Sequence, residues 1–233
     1  TFAAGDAITQ DTDGSTTGSG TIGSGGVAAT GDDINDYPAA PISYHNQATE
    51  ITVLHANHCM HDKGNNVKIE GVISEVAPTI IDSAYHTNGL TASDGVSGTF
   101  SLHVNDASAF HTTINGAAVS TSNPGYLVIR DHEVGQRHYE IIEYSAISAD
   151  GKIITLPSGS RGKAGTSALI HSSLSWVECY NIDGIPLVEI NKLHTAIGSP
   201  TLDSYKVAVT SVSTNGITNG GSNVTATQNV QFE

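Results

Sequence analysis

The densest run of metal- and proton-active side chains is HANHCMHD, which places His55, His58, Cys59, His61 and Asp62 within eight residues. Imidazole and thiolate suit zinc or copper, so His55, His58, Cys59 and His61 are the candidate ligands. Their spacing matches neither a zinc finger nor a zincin, and the chain has no second His/Cys cluster of fixed spacing to complete four ligands. The competing reading is a polar loop in which His58 and His61 hydrogen-bond to backbone and fix the turn, with no metal and no cofactor. Asp131, Glu133, Glu140 and Glu143 supply carboxylates of the kind that glycoside cleavage needs. Glu140 and Glu143 fall on opposite faces of one strand, however, and cannot converge. The chain carries no GxSxG, HExxH or P-loop, so an enzyme is not expected. Arg161-Gly162 and Gly165-Thr166 have the look of an anion nest, but tight-loop glycines pinned by Arg161 and Thr166 explain them better. Tyr37, Tyr44, Tyr126, Tyr139, Tyr144 and Trp176 offer rings for sugar stacking, set against the plainer role of strand core.

Composition says what must position these groups. Of 233 residues only 14% are charged and 25 are Gly. Ser and Thr are plentiful, and the mix of β-branched and turn-forming residues predicts short strands joined by loops. A net charge of −14, with nine basic residues spread thinly, argues against a nucleic-acid partner. No apolar run approaches the length of a membrane-spanning helix, so no membrane partner is expected. Cys59 and Cys179 lie far apart in sequence and are expected to stay unbridged. The chain starts at Thr1 and its one methionine is Met60, which is read as a processed product or a segment of a longer polypeptide.

Residues 1–36 form a Gly/Ser/Thr-rich leader with one aromatic, Phe2. Such a segment holds too little apolar area for a core of its own, and it is expected to be a linker or an extended arm laid against a neighbour. From Tyr37 the texture changes. Ile51–Leu54, Val67–Val72, Phe100–Val104, Tyr126–Arg130, His138–Tyr144, Lys152–Leu156, Trp176–Tyr180, Ile185–Ile190 and Ser204–Val212 read as strands, with a last one after Gly221. Turn signals separate them: Asn123-Pro124-Gly125, Asp150-Gly151, Ser158-Gly159 and Asn219-Gly220. The only helical expectation is a turn or two around Asn191–Ile197. Short strands with turns every 8–12 residues or so predict an all-β protein of small sandwich or barrel modules.

Two stretches resemble modules of virion structural proteins from large tailed phages, in particular myoviruses of marine bacteria. The first covers Gly98 to about Tyr180: Asp106-Ala107-Ser108 with Phe110, Gly125-Tyr126 with Ile129, Glu140-Ile141-Ile142 with Tyr144, then Arg161-Gly162, Gly165-Thr166, Ala168 and His171. Asp131–His138 departs from the pattern as a lengthened hairpin loop. The second stretch is split around the first. Asn57-His58, Met60-His61 and Asn66–Val72 resemble an opening half, with Cys59 where Gly is expected. Gly184–Leu187, Glu189–Asn191, His194-Thr195 and Asp203–Tyr205 resemble the closing half. The resemblance implies one β module inserted in a loop of another: an arm or linker over 1–36, an outer module from 37–97 plus 181–233, and an inserted module over 98–180.

It also implies a structural role in the virion, assembled in the host cytoplasm, with copies of the chain and neighbouring virion proteins as partners. The rival readings are a fibre module that binds a receptor or host-surface glycan through an exposed aromatic and carboxylate patch, and a secreted bacterial adhesin or surface-layer repeat.

Overall fold

The computed structural model describes residues 7–12, 15–21, 42–44, 48–55, 66–131, 139–201, 203–216, 218–220 and 224–228. Strands make up 43% of the chain, about twice the usual share, and helix is almost absent. The sheets are separate and antiparallel, and none closes into a barrel among the described residues.

Thr1–Asp36 and Tyr37–Glu233 are two compact units. In the first, Ala7–Thr12 pairs antiparallel with Ser15–Thr21 through a bulge at Gln10–Asp11. Over these residues the leader is therefore a hairpin and not a single extended arm. The Asp-Gly pair between the strands is a strong hairpin signal, and it competes with pairing to a neighbour. Residues 22–36 of the leader lie outside the described residues.

The second unit holds two hydrophobic cores. The outer one is built on a seven-stranded sheet in the order Thr218–Asn219, Ile42–Tyr44, Glu50–Leu54, Ser204–Ala208, Leu193–Ile197, Asn66–Glu70, Thr225–Gln228. Period-two alternation explains why these segments are strands. NVKIE buries Val67 and Ile69 and exposes Asn66, Lys68 and Glu70, which sends one face to a core and the other to water. Val67, Ile69 and Val72 share that core with Ile185, Leu187, Ile190, Tyr205 and Val207, over a hundred residues further on. Leu193–Ile197 joins the two halves of the sheet: Leu193–Thr195 pair with Asn66–Lys68, and Ala196–Ile197 pair with Lys206–Val207.

This strand replaces the helical turn expected at Asn191–Ile197. His194 and Ala196 are buried while Leu193 and Thr195 are exposed, a strand period that the apolar residues alone do not display. The helical turn falls earlier, at Leu187–Glu189, inside the segment read as a strand. Pro186 offers no N–H to a ladder, and the Glu189 carboxylate accepts the backbone N–H groups of Thr210 (2.6 Å) and Ser211 (2.8 Å), which holds the turn in place.

The inserted core lies between two sheets. One has the order Tyr139–Tyr144, Gly125–Arg130, Trp176–Cys179, Thr79–Ile80, and the other the order Ala146–Ile147, Ile153–Leu156, Phe100–His103. Leu102, Leu127, Ile129, Ile142, Ile154 and Val177 fill the space between them. Gly125 lies directly opposite Tyr144, and a Cβ at Gly125 would stand 2.2 Å from the tyrosine ring, so only glycine fits beneath it. The Tyr144 hydroxyl donates to the His111 carbonyl at 2.6 Å.

The inserted core begins earlier in the chain than Gly98. Ile81 and Leu90 are fully buried in it, and Thr79–Ile80 pairs with Trp176–Val177. Residues 79–97 therefore pack with the inserted core, not with the outer module as expected. Ile81 and Leu90 are held by isolated bridges to Val104 and His171, too short to leave a periodic trace in sequence. On the return, Cys179 belongs to the inserted core and Ile182 to the outer one.

Candidate functional site

Glu140, Ile142 and Tyr144 share the inward face of their strand, so a carboxylate is built into an otherwise apolar core. Such a group persists only if its charge is met. Arg161 meets it side-on, with Nε 2.6 Å from Oε1 and Nη2 2.7 Å from Oε2. The backbone N–H of Gly162 (2.8 Å) and of Leu169 (2.9 Å) and Nε2 of His171 (3.1 Å) complete five contacts to one carboxylate. Burial by itself pushes the Glu140 carboxyl up, but the hydrogen bonds from His171, Arg161 and Leu169 and the Arg161 charge outweigh it and hold it down at about 2. Arg161 also donates to the carbonyls of Thr91, Asp94 and Leu169, so one guanidinium ties two loops to one strand.

The network continues outward. The other ring nitrogen of His171, Nδ1, stands 3.3 Å from Asp131 Oδ2, and Asp131 Oδ1 accepts the Ser175 hydroxyl and, at 3.3 Å, the Ser172 N–H. Serine, histidine and aspartate are together here, but in the wrong order for an acyl-transfer triad. Ser175 donates to the aspartate, and both imidazole nitrogens face carboxylates, so neither is turned to the serine as a base.

The outward face of the same sheet carries a different set. Pair register aligns Tyr139, Arg130, Trp176 and Ile80 in one row across four strands. Tyr139 is 40% exposed and Trp176 45%. The Arg130 guanidinium lies 5.3 Å from the Tyr139 ring centre, and its Nε donates to both oxygens of Glu178 at 3.1 and 3.2 Å. A cleft opens on each side of the row. One, of about 330 Å³, runs between the modules past Val72, Ser74, Glu178, Tyr180 and Asn191. The other, of about 390 Å³, is lined by Ile80, Asp131, Ser172, Ser173, Leu174, Ser175 and Trp176. A third, of about 210 Å³, contains His111 and Asp183. There His111 Nε2 is 2.9 Å from Glu75, and the Asp183 carboxylate accepts the N–H groups of Asn215 and Gly216. Burial works to raise the Glu75 carboxyl, but the His111 hydrogen bond prevails and it is lowered on balance.

His55 ends the Glu50–Leu54 strand, buried, with its ring edge-on to Tyr205 at 6.2 Å. The other candidate ligands, His58, Cys59 and His61, lie outside the described residues, as does Glu133. Glu140 and Glu143 do point to opposite faces, and Glu143 pairs with Lys163 at 2.9 Å on the outer one. Arg161 does more than pin a loop, as its pairing with Glu140 shows. Thr166 does hold the loop, accepting the Ile141 N–H and donating to the Lys163 carbonyl. Of the tyrosines, Tyr144 is core, Tyr126 is half-buried with its hydroxyl on Glu143, and Tyr139 is open to solvent. Cys179 is a buried free thiol, pushed up by burial, and Cys59 lies outside the described residues. Sequence reasoning missed the joining of Asp131, Glu140, Arg161 and His171. The signal was available: Glu140 sits at core parity in a strand of apolar residues, which demands a buried partner elsewhere.

No protein family, curated protein or solved structure matches this chain. No described helix is long and apolar enough to cross a membrane.

Proposed function

We propose that this chain is a non-enzymatic structural protein of a tailed-phage particle, working through contacts with copies of itself and with neighbouring virion proteins. The observation that supports this best is the contrast between sheet edges. In the inserted module the Tyr139–Tyr144 edge is covered by the 160–166 loop, with Ser160 accepting the Glu143 N–H and Lys163 donating to Ile141. On the opposite edge, Ile80 accepts the Asn105 N–H and Thr79 the Asp106 N–H. Among the described residues the seven-stranded sheet instead ends in two strands, Thr218–Asn219 and Thr225–Gln228, where a strand from a second chain would add. The arrangement of the buried ionic groups agrees with a scaffold: each described contact of Glu140, Arg161 and Asp131 ties one segment of the fold to another.

The test is to raise an antibody against the chain and apply it to purified tailed-phage particles whose genome encodes the chain. Gold label at one repeated position on the particle is expected. Light scattering should show self-association of the full chain at micromolar concentration, and removal of Thr1–Asp36 should weaken that association while leaving the β modules folded. Unlabelled particles together with a strictly monomeric chain would sink the reading.

A further inference from the structure

Among the described residues Phe100–His103 is an edge of the three-stranded sheet, and its outer side is covered partly by backbone and partly by one side chain. An antiparallel bridge joins Ile81 to Val104: the Asn105 N–H donates to the Ile80 carbonyl and the Asp82 N–H to the His103 carbonyl, both at 3.0 Å. Continued by one step, this ladder would return the His103 N–H to the Asp82 carbonyl. The chain turns there instead. The Asp82 carbonyl accepts the N–H groups of Tyr85 (3.2 Å) and His86 (2.9 Å), and the Asp82 carboxylate accepts that of Ala84 (2.8 Å). Nε2 of His86 takes over the place on the strand, accepting the His103 N–H at 2.8 Å. A further hydrogen bond ties the same ring to the Ser101 backbone. An imidazole thus does the work of a strand at a sheet edge.

This substitute has a weakness that a peptide carbonyl lacks. A ring nitrogen that accepts an N–H must carry a lone pair, so His86 is neutral and bears its proton on Nδ1. A proton on Nε2 would set two N–H groups against each other. Burial holds the ring below its ordinary 6.5, helped by His103 on the strand, against the Asp94 and Asp82 carboxylates and the Ser101 hydrogen bond, which favour charge. The remaining neighbours are aromatic: the His86 ring lies 5.5 Å from that of Phe100 and 5.6 Å from that of His103, which stacks on Tyr85 at 4.0 Å. Main-chain bonds fix the segment beyond each end of the turn, from Ile81 to Leu174 and Ser175 and from Leu90 to His171. Residues 82–89 are therefore placed to open as a unit between two fixed points.

We propose that His86 is an acid-sensitive latch, whose protonation releases residues 82–89 and exposes the outer edge of Phe100–His103. The sign follows from the two states. Closed, the ring stays neutral; open, it titrates as in water, so the open form gains a proton as pH falls below 6.5 and the latch weakens by at most about tenfold per pH unit. The latch is read on the isolated full chain, so it stands or falls apart from any role in a particle.

Amide hydrogen exchange followed by NMR, corrected for the intrinsic pH dependence of exchange, tests it between pH 7.5 and 5, above the range in which Glu140 titrates. The His103 N–H should lose protection by roughly tenfold across that range, while the core strand at Leu127 and Val128 keeps its own. Ring nitrogen shifts at pH 7.5 should show His86 protonated on Nδ1. His86→Gln puts an amide in place of the ring that does not titrate, and it should abolish the pH dependence. His86→Ala should expose the His103 N–H at pH 7.5 as well; should that variant melt early, His86→Gln alone decides. A proton on Nε2 at pH 7.5, constant protection of His103 between pH 7.5 and 5, or an undiminished pH dependence in His86→Gln overturns the proposal.

Discussion

The two cores of the second unit reach stability by different means. The outer core is aliphatic, with Ile42, Ile51, Val53, Ile69, Ile182 and Val207 all fully buried, and its described ion pairs, Lys68–Glu70 and Lys206–Glu50, stand at the surface. The inserted core has a comparable apolar filling but also the buried Glu140–Arg161 pair, continued through His171 to Asp131. Hydrophobic burial is not directional and tolerates substitution of similar volume. A buried two-pronged ion pair does not, because removing one partner strands a charge in a dry interior. The difference follows from the connections. Seven strands of the outer module share one sheet, whereas the inserted module includes the long turn-rich stretches 82–99 and 157–175, which no sheet holds. Arg161 anchors both, through the carbonyls of Thr91, Asp94 and Leu169.

The largest effect should come from breaking that anchor. Arg161→Met leaves Glu140 buried without its counter-charge and should cost about 3–5 kcal/mol. Urea unfolding followed by Trp176 emission should show it. Hydrogen exchange at Val67 and Ile69 in the outer sheet should change far less, and equal loss of protection in both modules would mean that the two cores do not respond separately.

Acid should act on the same pair. Glu140 is held at about 2, against an ordinary value of 4.5, so its contribution is fully present above pH 4.5 and is lost as pH falls from there toward 2. On the order of 3 kcal/mol is at stake in that window. Stability of the inserted module measured between pH 5 and 2 should decline accordingly. Glu140→Gln should start lower and decline less, and an equally steep decline in that variant would place the acid sensitivity elsewhere.

The smallest effect is expected at the outer module's surface. Lys206→Ala removes a half-exposed pair with Glu50 and should change stability by about 0–1 kcal/mol, less still in molar salt. A loss comparable to that of Arg161→Met would erase the contrast between the two modules.

The sequence made the strands legible wherever one face is wet. NVKIE and SYKVA alternate because each has a buried and a solvated side. Residues 79–97 misled, because Ile81 and Leu90 enter the inserted core from turns and leave no period to detect. Glu140 at core parity signals a buried partner, but which residues supply it was illegible for another reason. The members of the ionic network are 9 to 40 positions apart, on a strand end, a strand and a long loop, so no local spacing joins them. The cleft at Trp176 depends on cross-strand register and on the φ of Leu174, and a single sequence states neither.

One feature of the junction reaches beyond stability. Val72 and Asn191, 119 positions apart, exchange hydrogen bonds of 3.0 and 2.9 Å, and Val72, Ser74, Cys179 and Tyr180 line one cleft. The chain thus leaves the outer module and returns to it at neighbouring points. A segment whose two ends lie side by side can be exchanged as a cassette: a replacement of different length, carrying different surface residues, needs only to present its termini at the same spacing. The outer sheet can stay constant through such an exchange while the inserted module diversifies.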